Sequence, residues 1–370
     1  MDKIPVTLLA GYLGAGKTTL LNHILNNPMG LKIALIVNDL GAVNVDARLI
    51  RNNGMKLQKE QLLELTNGCI CCSLREDFIR EVKGLAEDGR FDYILVEASG
   101  VSSPVNIADA FEEEGSKFAA GLDAIVAVAD ANRIYTEFMD KLEEHQTLSN
   151  DGEQEEEQDI INLVMEQIEY SNIVVINKCD LLTKPQVERV EQIIRSLAPD
   201  TEIIKATNGC VDSGVIFNRK LYHYDKMEQS SALSKAWSKG MEGNHKLEHG
   251  IESFFYRRPR PFDERKFDEW IGSHYPGEII RAKGYLWFAD DEDHAVLFEQ
   301  AGNSIAITQG PRWIASYSES ERKELLEDYP ELSEEWDEKT GDRENQIVFI
   351  GKNLDVKSLE QELDICLKGR

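Results

Sequence analysis

Short apolar runs alternate with amphipathic stretches along the first 206 residues of the chain. Seven of these runs are nearly continuously apolar, which is typical of parallel strands buried on both faces. They are residues 4–10, 32–38, 62–66, 92–98, 123–130, 172–177 and 201–206. Apolar residues recur at helical spacing between them, over 18–27, 76–88 and 185–197. This alternation predicts an α/β fold, in which helices cover a mostly parallel sheet.

The pattern changes after residue 206. Residues 207–250 lose the strand period and carry Gly, Ser, Lys and scattered His, as linkers do. The β-rich runs and helical stretches that follow predict a smaller C-terminal α+β domain. These runs are 252–257, 278–289, 295–300, 303–309 and 345–351, bracketed by helical stretches at 263–274 and 356–368. The predicted organisation is a first domain over 1–215, a linker over 216–250 and a second domain over 251–370.

Charge and hydropathy exclude several classes of partner. The chain has 41 Lys and Arg against 67 Asp and Glu, a net charge of −26, and such a surface repels nucleic acid and anionic lipid. Neither a membrane span nor a signal peptide is recognisable, so we expect a cytoplasmic location. In that reducing compartment the six cysteines favour metal binding or redox chemistry over disulfides.

One segment of the first domain is strongly acidic. Residues 143–159 contain many acids and no Lys or Arg. Such a block predicts a solvated loop, and the alternative is a weak binding surface for a hard cation or a partner.

A glycine-rich segment follows the first predicted strand. Gly11-Tyr12-Leu13-Gly14-Ala15-Gly16-Lys17-Thr18 matches the P-loop pattern and precedes a predicted helix. In such loops the glycines let backbone N–H groups surround a phosphate, and the helix N-terminus favours negative charge. We expect Lys17 to reach the β- and γ-phosphates and Thr18 to bind Mg²⁺. The fold class is therefore refined to a P-loop NTPase.

Two further strand ends carry nucleotide chemistry. Glu97 ends an apolar strand and can hold Mg²⁺ or orient the attacking water, while Gly100 lets the backbone approach the γ-phosphate. Asn177, Lys178 and Asp180 form an NKxD motif after another buried strand. The Asp180 carboxylate can accept from the ring N–H and the amine of guanine, which adenine does not offer, so the motif predicts GTP over ATP.

Three thiols stand close together in the segment TNGCICC. Cys69, Cys71 and Cys72 lie in sequence between the loop at 38–41 and Glu97, so they are expected near the γ-phosphate. Clustered thiolates suit Zn²⁺, Cu(I) or another thiophilic ion better than Mg²⁺. Three ligands leave a tetrahedral position for a fourth residue, water or a partner. A redox pair and buried structural cysteines are the alternatives.

Together the segments GYLGAGKTTLL, VNDLGAVNVD, TNGCICC, VEASG and NKCD resemble the CobW-type (CobW/YciC-like) metallochaperone GTPases. SFFYRRPRPF, RAKGYLWFA and GDRENQIVFIG extend the resemblance into the second half, so that it covers roughly residues 4–210 and 251–367. The resemblance implies a GTPase that binds a transition metal and couples its nucleotide state to delivery of that metal to a client protein.

Site residues follow from the resemblance by position. Residues 11–19 would bind phosphate and Mg²⁺, and the NKxD motif would bind the base. The three thiols would bind the metal, and Asp39 would join Lys17 and Glu97 in catalysis. In full, the nucleotide set is Gly11, Gly14, Ala15, Gly16, Lys17, Thr18, Thr19, Gly100, Asn177, Lys178 and Asp180. The implied ligands are GTP or GDP, Mg²⁺ and Zn²⁺, with Co²⁺ or Fe²⁺ as other cargo.

The chain departs from the family pattern at one loop. The family loop usually reads NEFGE, whereas this chain has Ala42 where the acid is common, so a carboxylate ligand is not expected there. Two other functions stay open: a non-catalytic metal sensor or store, and a GTPase of cobalt, cobalamin or other small-molecule metabolism with a structural zinc. A homodimer that completes the metal site is a further option.

Overall fold

We describe a computed structural model of the chain over residues 3–38, 62–65, 75–115, 118–139, 154–224, 245–246, 251–302, 304–328 and 336–369. The chain divides into two compact units. The first combines Met1–Thr136 with Leu163–Ser231, and the second combines Glu137–Asn162 with Ala232–Arg370. None of the helices within the described ranges is long and apolar enough to cross a membrane.

The first unit is a parallel sheet with helices. Its strands are β1 (Ile4–Ala10), β2 (Ile33–Asn38), β3 (Leu62–Leu65), β4 (Tyr93–Glu97), β5 (Ala120–Asp130), β6 (Ile173–Asn177) and β7 (Glu202–Lys205), in the order β3-β2-β4-β1-β5-β6-β7. Its helices are α1 (Lys17–Asn26), α2 (Arg75–Asp88), α3 (Pro104–Glu113), most of α4 (Ala131–Met139), the part of α5 (Gln154–Glu169) from Leu163 onward, and α6 (Lys184–Leu197). Neighbouring strands in this order are parallel. The predicted fold class and its seven strands are confirmed.

The strands read as continuously apolar because both faces of the sheet are covered. On one face, Leu9 and Val126 pack with Leu20 and Ile24 of α1. On the other face, Leu8 packs in a cluster with residues of α2 and α3. Alternate residues of each strand therefore enter opposite cores, and both sets must be apolar. The sheet thus forms a rigid platform for the loops at its ends.

The acidic stretch 143–159 is partly helical. Helix α5 begins at Gln154, so the prediction of a loop is wrong for residues 154–159, while 140–153 lie outside the described residues. Ile161, Met165 and Ile168 recur at helical spacing and are at most 7% exposed. Burial of this apolar face stabilises a helix whose first turns are acidic.

Residues 216–224 pack onto the first unit although the sequence assigns them to the linker. Ile216 and Phe217 are 0% and 3% exposed and belong to one of the two cores. The Asp123 carboxylate accepts from the backbone N–H groups of Arg219 at 2.9 Å and Lys220 at 2.7 Å. This part of the predicted linker is therefore packed, and the other domain boundaries stay predictions.

The second unit contains an antiparallel sheet. Its strands are β8 (His245–Lys246), β9 (Ile251–Arg258), β10 (Ile279–Leu286), β11 (His294–Ala301), β12 (Ser304–Arg312) and β13 (Asn345–Lys352), in the order β12-β11-β10-β13-β9-β8. Its helices are α7 (Glu264–His274), α8 (Glu319–Asp328) and α9 (Val356–Cys366). Phe254, Phe267 and Phe349 form part of an aromatic core with Leu363 of α9. The predicted α+β architecture is confirmed.

Candidate nucleotide site

The predicted nucleotide motifs lie where strands of the first unit end. The P-loop follows β1, Glu97 closes β4, Asp130 closes β5, and the NKxD motif begins at the end of β6. Because these strands are parallel, their carboxyl ends share one edge of the sheet. Ligands of open α/β sheets bind at this edge.

The P-loop has the backbone of a phosphate cradle. Gly11, Gly14 and Gly16 have φ of 141°, 78° and 106°, which side chains rarely permit. A Cβ on Gly11 would lie 2.5 Å from the Val128 oxygen. The Lys17 ammonium is inside this loop, where it donates to the Gly11 carbonyl at 2.6 Å. The loop therefore places a cation where a phosphate would bind.

Two oxygen donors, from Thr18 and Glu97, were predicted to hold Mg²⁺. Glu97 is 1% exposed at the end of β4, and it is in register with Leu9 near the end of β1. Thr18 lies in the first turn of α1, beside the exposed Thr19. A carboxylate and a hydroxyl are hard oxygen donors of the kind Mg²⁺ takes alongside phosphate oxygens. The residues present fit the ion.

Asn177 ties the phosphate side of the site to the base side. Its amide is 2% exposed and donates to the Ala15 carbonyl at 2.9 Å. Its Oδ1 accepts from the Gly209 N–H at 2.9 Å. The P-loop and the loop after β7, residues 206–210, are therefore held together by a single side chain.

The rest of the NKxD motif turns toward solvent. Lys178 has φ of 60°, and its ammonium is 2.6 Å from the Asp130 carboxylate. Asp180 is exposed in the short 3₁₀ turn that follows. The Cys179 N–H donates to the Ala206 carbonyl at 3.1 Å. An exposed carboxylate beside the loop at 206–210 can receive a guanine edge.

Asp130 and Arg133 were missed by the sequence reasoning. Asp130 holds Lys178, and its other oxygen accepts from the first turn of α4 at 3.0 and 3.2 Å. The Arg133 guanidinium stacks 4.7 Å from the centre of the Tyr12 ring, beside a cleft that Gly14 and Lys178 also line. An acid that closes an apolar strand, as Glu97 also does, was the available signal for Asp130.

The predicted thiol cluster and Asp39 fall on residues that the structure does not describe. Asp39, Cys69, Cys71 and Cys72 lie outside the described residues. Within the described ranges, no group of three or more His, Cys, Asp or Glu side chains could hold a metal ion. The free cysteines seen there are Cys179, Cys210 and Cys366, and burial raises the pKa of Cys366 to about 11. Cys179 belongs to the NKxD motif, Cys210 to the loop after β7, and Cys366 to the end of α9 in the second unit.

A substitution at Gly209 tests the contact between the loop at 206–210 and α1. Its φ is 64°, and a Cβ there would lie 2.7 Å from the Leu20 nitrogen. Gly89 has a similar φ of 72°, with nothing within 4 Å of a Cβ. We expect Gly89→Ala to cost about 1 kcal/mol of unfolding free energy from the backbone conformation alone. Gly209→Ala should cost about 2–5 kcal/mol, since overpacking is added.

Urea denaturation of the two alanine variants measures this difference, and GDP binding shows whether the site is disturbed as well. Weaker GDP binding is expected only for Gly209→Ala. Equal losses of stability in the two variants would contradict the close packing of the loop on α1.

Residues 5–205 match the model of the CobW/HypB/UreG nucleotide-binding domain. The chain belongs to the CobW/HypB/UreG family. Residues 251–367 match the model of the cobalamin synthesis protein cobW C-terminal domain. The predicted resemblance is confirmed, and it covers both halves of this CobW-family chain.

Named relatives of this CobW-family chain are similar over much of its length. It is 36% identical over 389 residues to "Zinc-regulated GTPase metalloprotein activator 1" of Dictyostelium discoideum, covering 99% of this chain and 80% of that protein. It is 31% identical over 300 residues to "Zinc chaperone CobW" of Sinorhizobium sp, covering 76% and 81%. A solved structure, Zn(II)-bound YjiA GTPase from E. coli, is 20% identical and covers 100% of both chains with a TM-score of 0.42.

Proposed function

We propose that this protein is a Mg²⁺-dependent GTPase that carries a thiophilic metal ion, with zinc as the first choice, and delivers it to a client metalloprotein in the cytoplasm. The observation that carries the proposal is the Asn177 amide of the guanine-type motif, which bonds to Ala15 of the P-loop and to Gly209 of the loop at 206–210, each at 2.9 Å. The names of the relatives from Dictyostelium discoideum and Sinorhizobium sp support the choice of GTP and zinc.

We assign each of the site residues within the described ranges a task in GTP binding or hydrolysis. Backbone N–H groups of Gly14, Ala15 and Gly16 would surround the phosphates, and the Lys17 ammonium would leave its carbonyl partners for the β- and γ-phosphates. Thr18 and Glu97 would hold Mg²⁺, which when bound neutralises charge on the phosphate oxygens. Asp180 would accept from the guanine edge while Lys178, held by Asp130 at 2.6 Å, lies along the base.

The metal cargo is assigned to Cys69, Cys71 and Cys72 by sequence and by topology. These residues connect β3, which ends at Leu65, to α2, which begins at Arg75. Strand β3 is parallel to β2, and β2 is parallel to β4. The connection therefore leaves from the same edge of the sheet as Glu97. A thiolate site on this side could respond to the γ-phosphate. Asp39 lies between the P-loop and the thiols in sequence.

The test is zinc affinity, measured by competition with a calibrated chelator in the GDP state and with a non-hydrolysable GTP analogue, and repeated with Co²⁺. We expect a difference of tenfold or more between nucleotide states, within the 5–150-fold range that about 1–3 kcal/mol of coupling gives. Equal affinities would instead support a GTPase of cobalt, cobalamin or other small-molecule metabolism with structural zinc.

Cys71→Ser separates cargo binding from fold. We expect this variant to lose most of its zinc affinity and to keep its GDP affinity, because the thiol would bind metal and not nucleotide. Cys210→Ser, which removes an exposed thiol of the first unit, is the matched control and should keep its zinc affinity. Loss of GDP binding in Cys71→Ser would show that the thiols support the fold.

A second copy of the chain is one candidate for the fourth metal ligand. Three thiols leave one position of a tetrahedral zinc site for water, for the client or for another protomer. Sedimentation with zinc and the GTP analogue, compared with the apo protein, distinguishes a metal-linked dimer from a monomer.

A further inference from the structure

The loop that joins β4 to α3, residues 98–103, runs against the P-loop. Gly100 in this loop is buried, and a Cβ there would lie 2.9 Å from the Leu13 nitrogen and 2.8 Å from the Leu13 side chain. Only a bare backbone fits at this point. The 98–103 loop therefore places main-chain atoms beside the P-loop, near the expected position of the γ-phosphate.

The 98–103 loop is also bonded internally. The Ser102 N–H donates to the Ser99 carbonyl at 3.0 Å, which closes a turn around Gly100. The Val101 N–H donates to the Ser99 hydroxyl at 3.4 Å. These bonds fix the shape of the turn. The Ala98 N–H donates to the Leu9 carbonyl at 2.9 Å and holds the start of the loop to β1. The distance of the turn itself from the P-loop requires a further contact.

Helix α5 supplies that contact through Gln167. This side chain is 1% exposed, and its Nε2 donates to the Gly100 carbonyl at 3.3 Å and to the Ser102 carbonyl at 3.2 Å. The amide nitrogen thus donates to two carbonyls of the turn. Gln167 therefore binds the 98–103 loop at two points, while Gly100 packs on Leu13.

The neighbouring residue of α5 binds the end of the same loop. The Ser103 hydroxyl donates to the Glu166 carboxylate at 2.6 Å. The same hydroxyl accepts from the Val105 N–H at 3.2 Å, which caps α3. Two successive residues of α5 therefore hold three of the last four residues of the loop.

The amide of Gln167 costs stability if packing is its only role. Its Oε1 has no hydrogen-bond partner among the described residues, although the atom is buried. A buried acceptor without a partner is unfavourable, and an apolar side chain of similar shape would avoid that cost. The two donated bonds are what an apolar replacement would lose.

We infer that Gln167 is a positioning residue for GTP hydrolysis, which holds the Gly100 backbone at its distance from the P-loop and links the γ-phosphate to helix α5. This inference rests on the proposed GTPase activity. Both hydrogen bonds that Gln167 donates go to the 98–103 loop. It acts through the 98–103 loop, so its removal should affect GTP and the transition state while leaving GDP unaffected.

The test is Gln167→Met, which keeps the shape of the side chain and removes both donors. Ser171→Ala is the matched control, since Ser171 is also buried and its hydroxyl donates only within its own turn, to the Ile168 carbonyl at 2.9 Å. We expect kcat for GTP to fall about 10–100-fold in Gln167→Met, as misplacement near 1 Å does. Affinity for the GTP analogue should fall at least fivefold, with GDP affinity within twofold of the wild type.

Several outcomes would overturn the inference. If Gln167→Met and Ser171→Ala have the same kcat and the same ratio of GTP-analogue to GDP affinity, Gln167 is structural only. If the wild type has no GTP turnover, the proposed function fails and this inference fails with it. If the wild type hydrolyses GTP and Gln167→Met has the same kcat and the same nucleotide affinities, this inference alone is wrong.

A measurement on the wild type covers the case in which Gln167→Met does not fold. Amide hydrogen exchange over residues 163–169 should be slower with the GTP analogue than with GDP, because γ-phosphate contacts would hold the 98–103 loop and, through it, α5. Equal exchange rates in the two nucleotide states would overturn the link between the phosphate and the helix.

Discussion

Asp180→Asn should change the preferred base from guanine to xanthine. The exposed carboxylate can accept from both N–H groups of guanine, whereas asparagine places its own amine against the guanine amine. A lost charge-assisted bond and an unpaired donor reduce GDP affinity by about 10²–10³-fold. Xanthine has a carbonyl in place of that amine, so the asparagine variant should bind XDP more tightly than GDP. Competition with a fluorescent guanine nucleotide measures both affinities.

Glu188→Gln is the control for Asp180→Asn, because Glu188 is an exposed acid on α6 of the same unit. It should keep the wild-type preference for GDP. A retained preference for GDP in Asp180→Asn would show that Asp180 does not read the base, and the assignment of GTP would then lose its chemical basis.

Lys17→Met should abolish most turnover and leave the fold intact. Loss of one preorganised cation at the phosphates is expected to lower kcat by about 10²–10³-fold. Lys17 is only 6% exposed, so the wild type already bears the desolvation cost of an ammonium, which methionine removes. We therefore expect a melting temperature equal to or above that of the wild type, measured beside single-turnover hydrolysis of GTP.

Lys184→Met is the matched control for Lys17→Met, since Lys184 is exposed at the start of α6. Its turnover and melting temperature should stay at wild-type values. A Lys17→Met protein that hydrolyses GTP at the wild-type rate would contradict the assignment of the P-loop. One that unfolds would show that the bond to the Gly11 carbonyl is structural.

The sheet and the P-loop were predictable because both are local in sequence. Continuous apolar runs located all seven strands. The spacing of Gly11, Gly14 and Gly16 predicted the backbone conformation of a P-loop. Helix α3 was not among the predicted helices, although its start could have been recognised. Ser103 caps it and Pro104 is its first residue, a common start signal. Helix α5 was obscured because its acidic first turns hide the apolar period that begins at Ile161.

The contacts that assemble the site were not predictable. Asn177 meets Ala15 across 162 residues of sequence, and Gln167 meets Gly100 across 67 residues. Neither pair belongs to a periodic pattern, because each depends on how strands are ordered in the sheet. The role of the thiols remains a prediction from chemistry and family resemblance, since residues 66–74 lie outside the described ranges.

The two hydrogen bonds of the Asn177 amide have a consequence for the kinetics of nucleotide binding. Since hydrogen bonds within the protein join the P-loop to the loop at 206–210, the spacing between phosphate and base positions is set by the fold. A guanine nucleotide then binds to phosphate and base positions whose spacing is already fixed. Little conformational entropy of these loops is therefore lost when it binds. Differences in affinity among guanine nucleotides should accordingly appear in their dissociation rates, with capture equally fast for all of them.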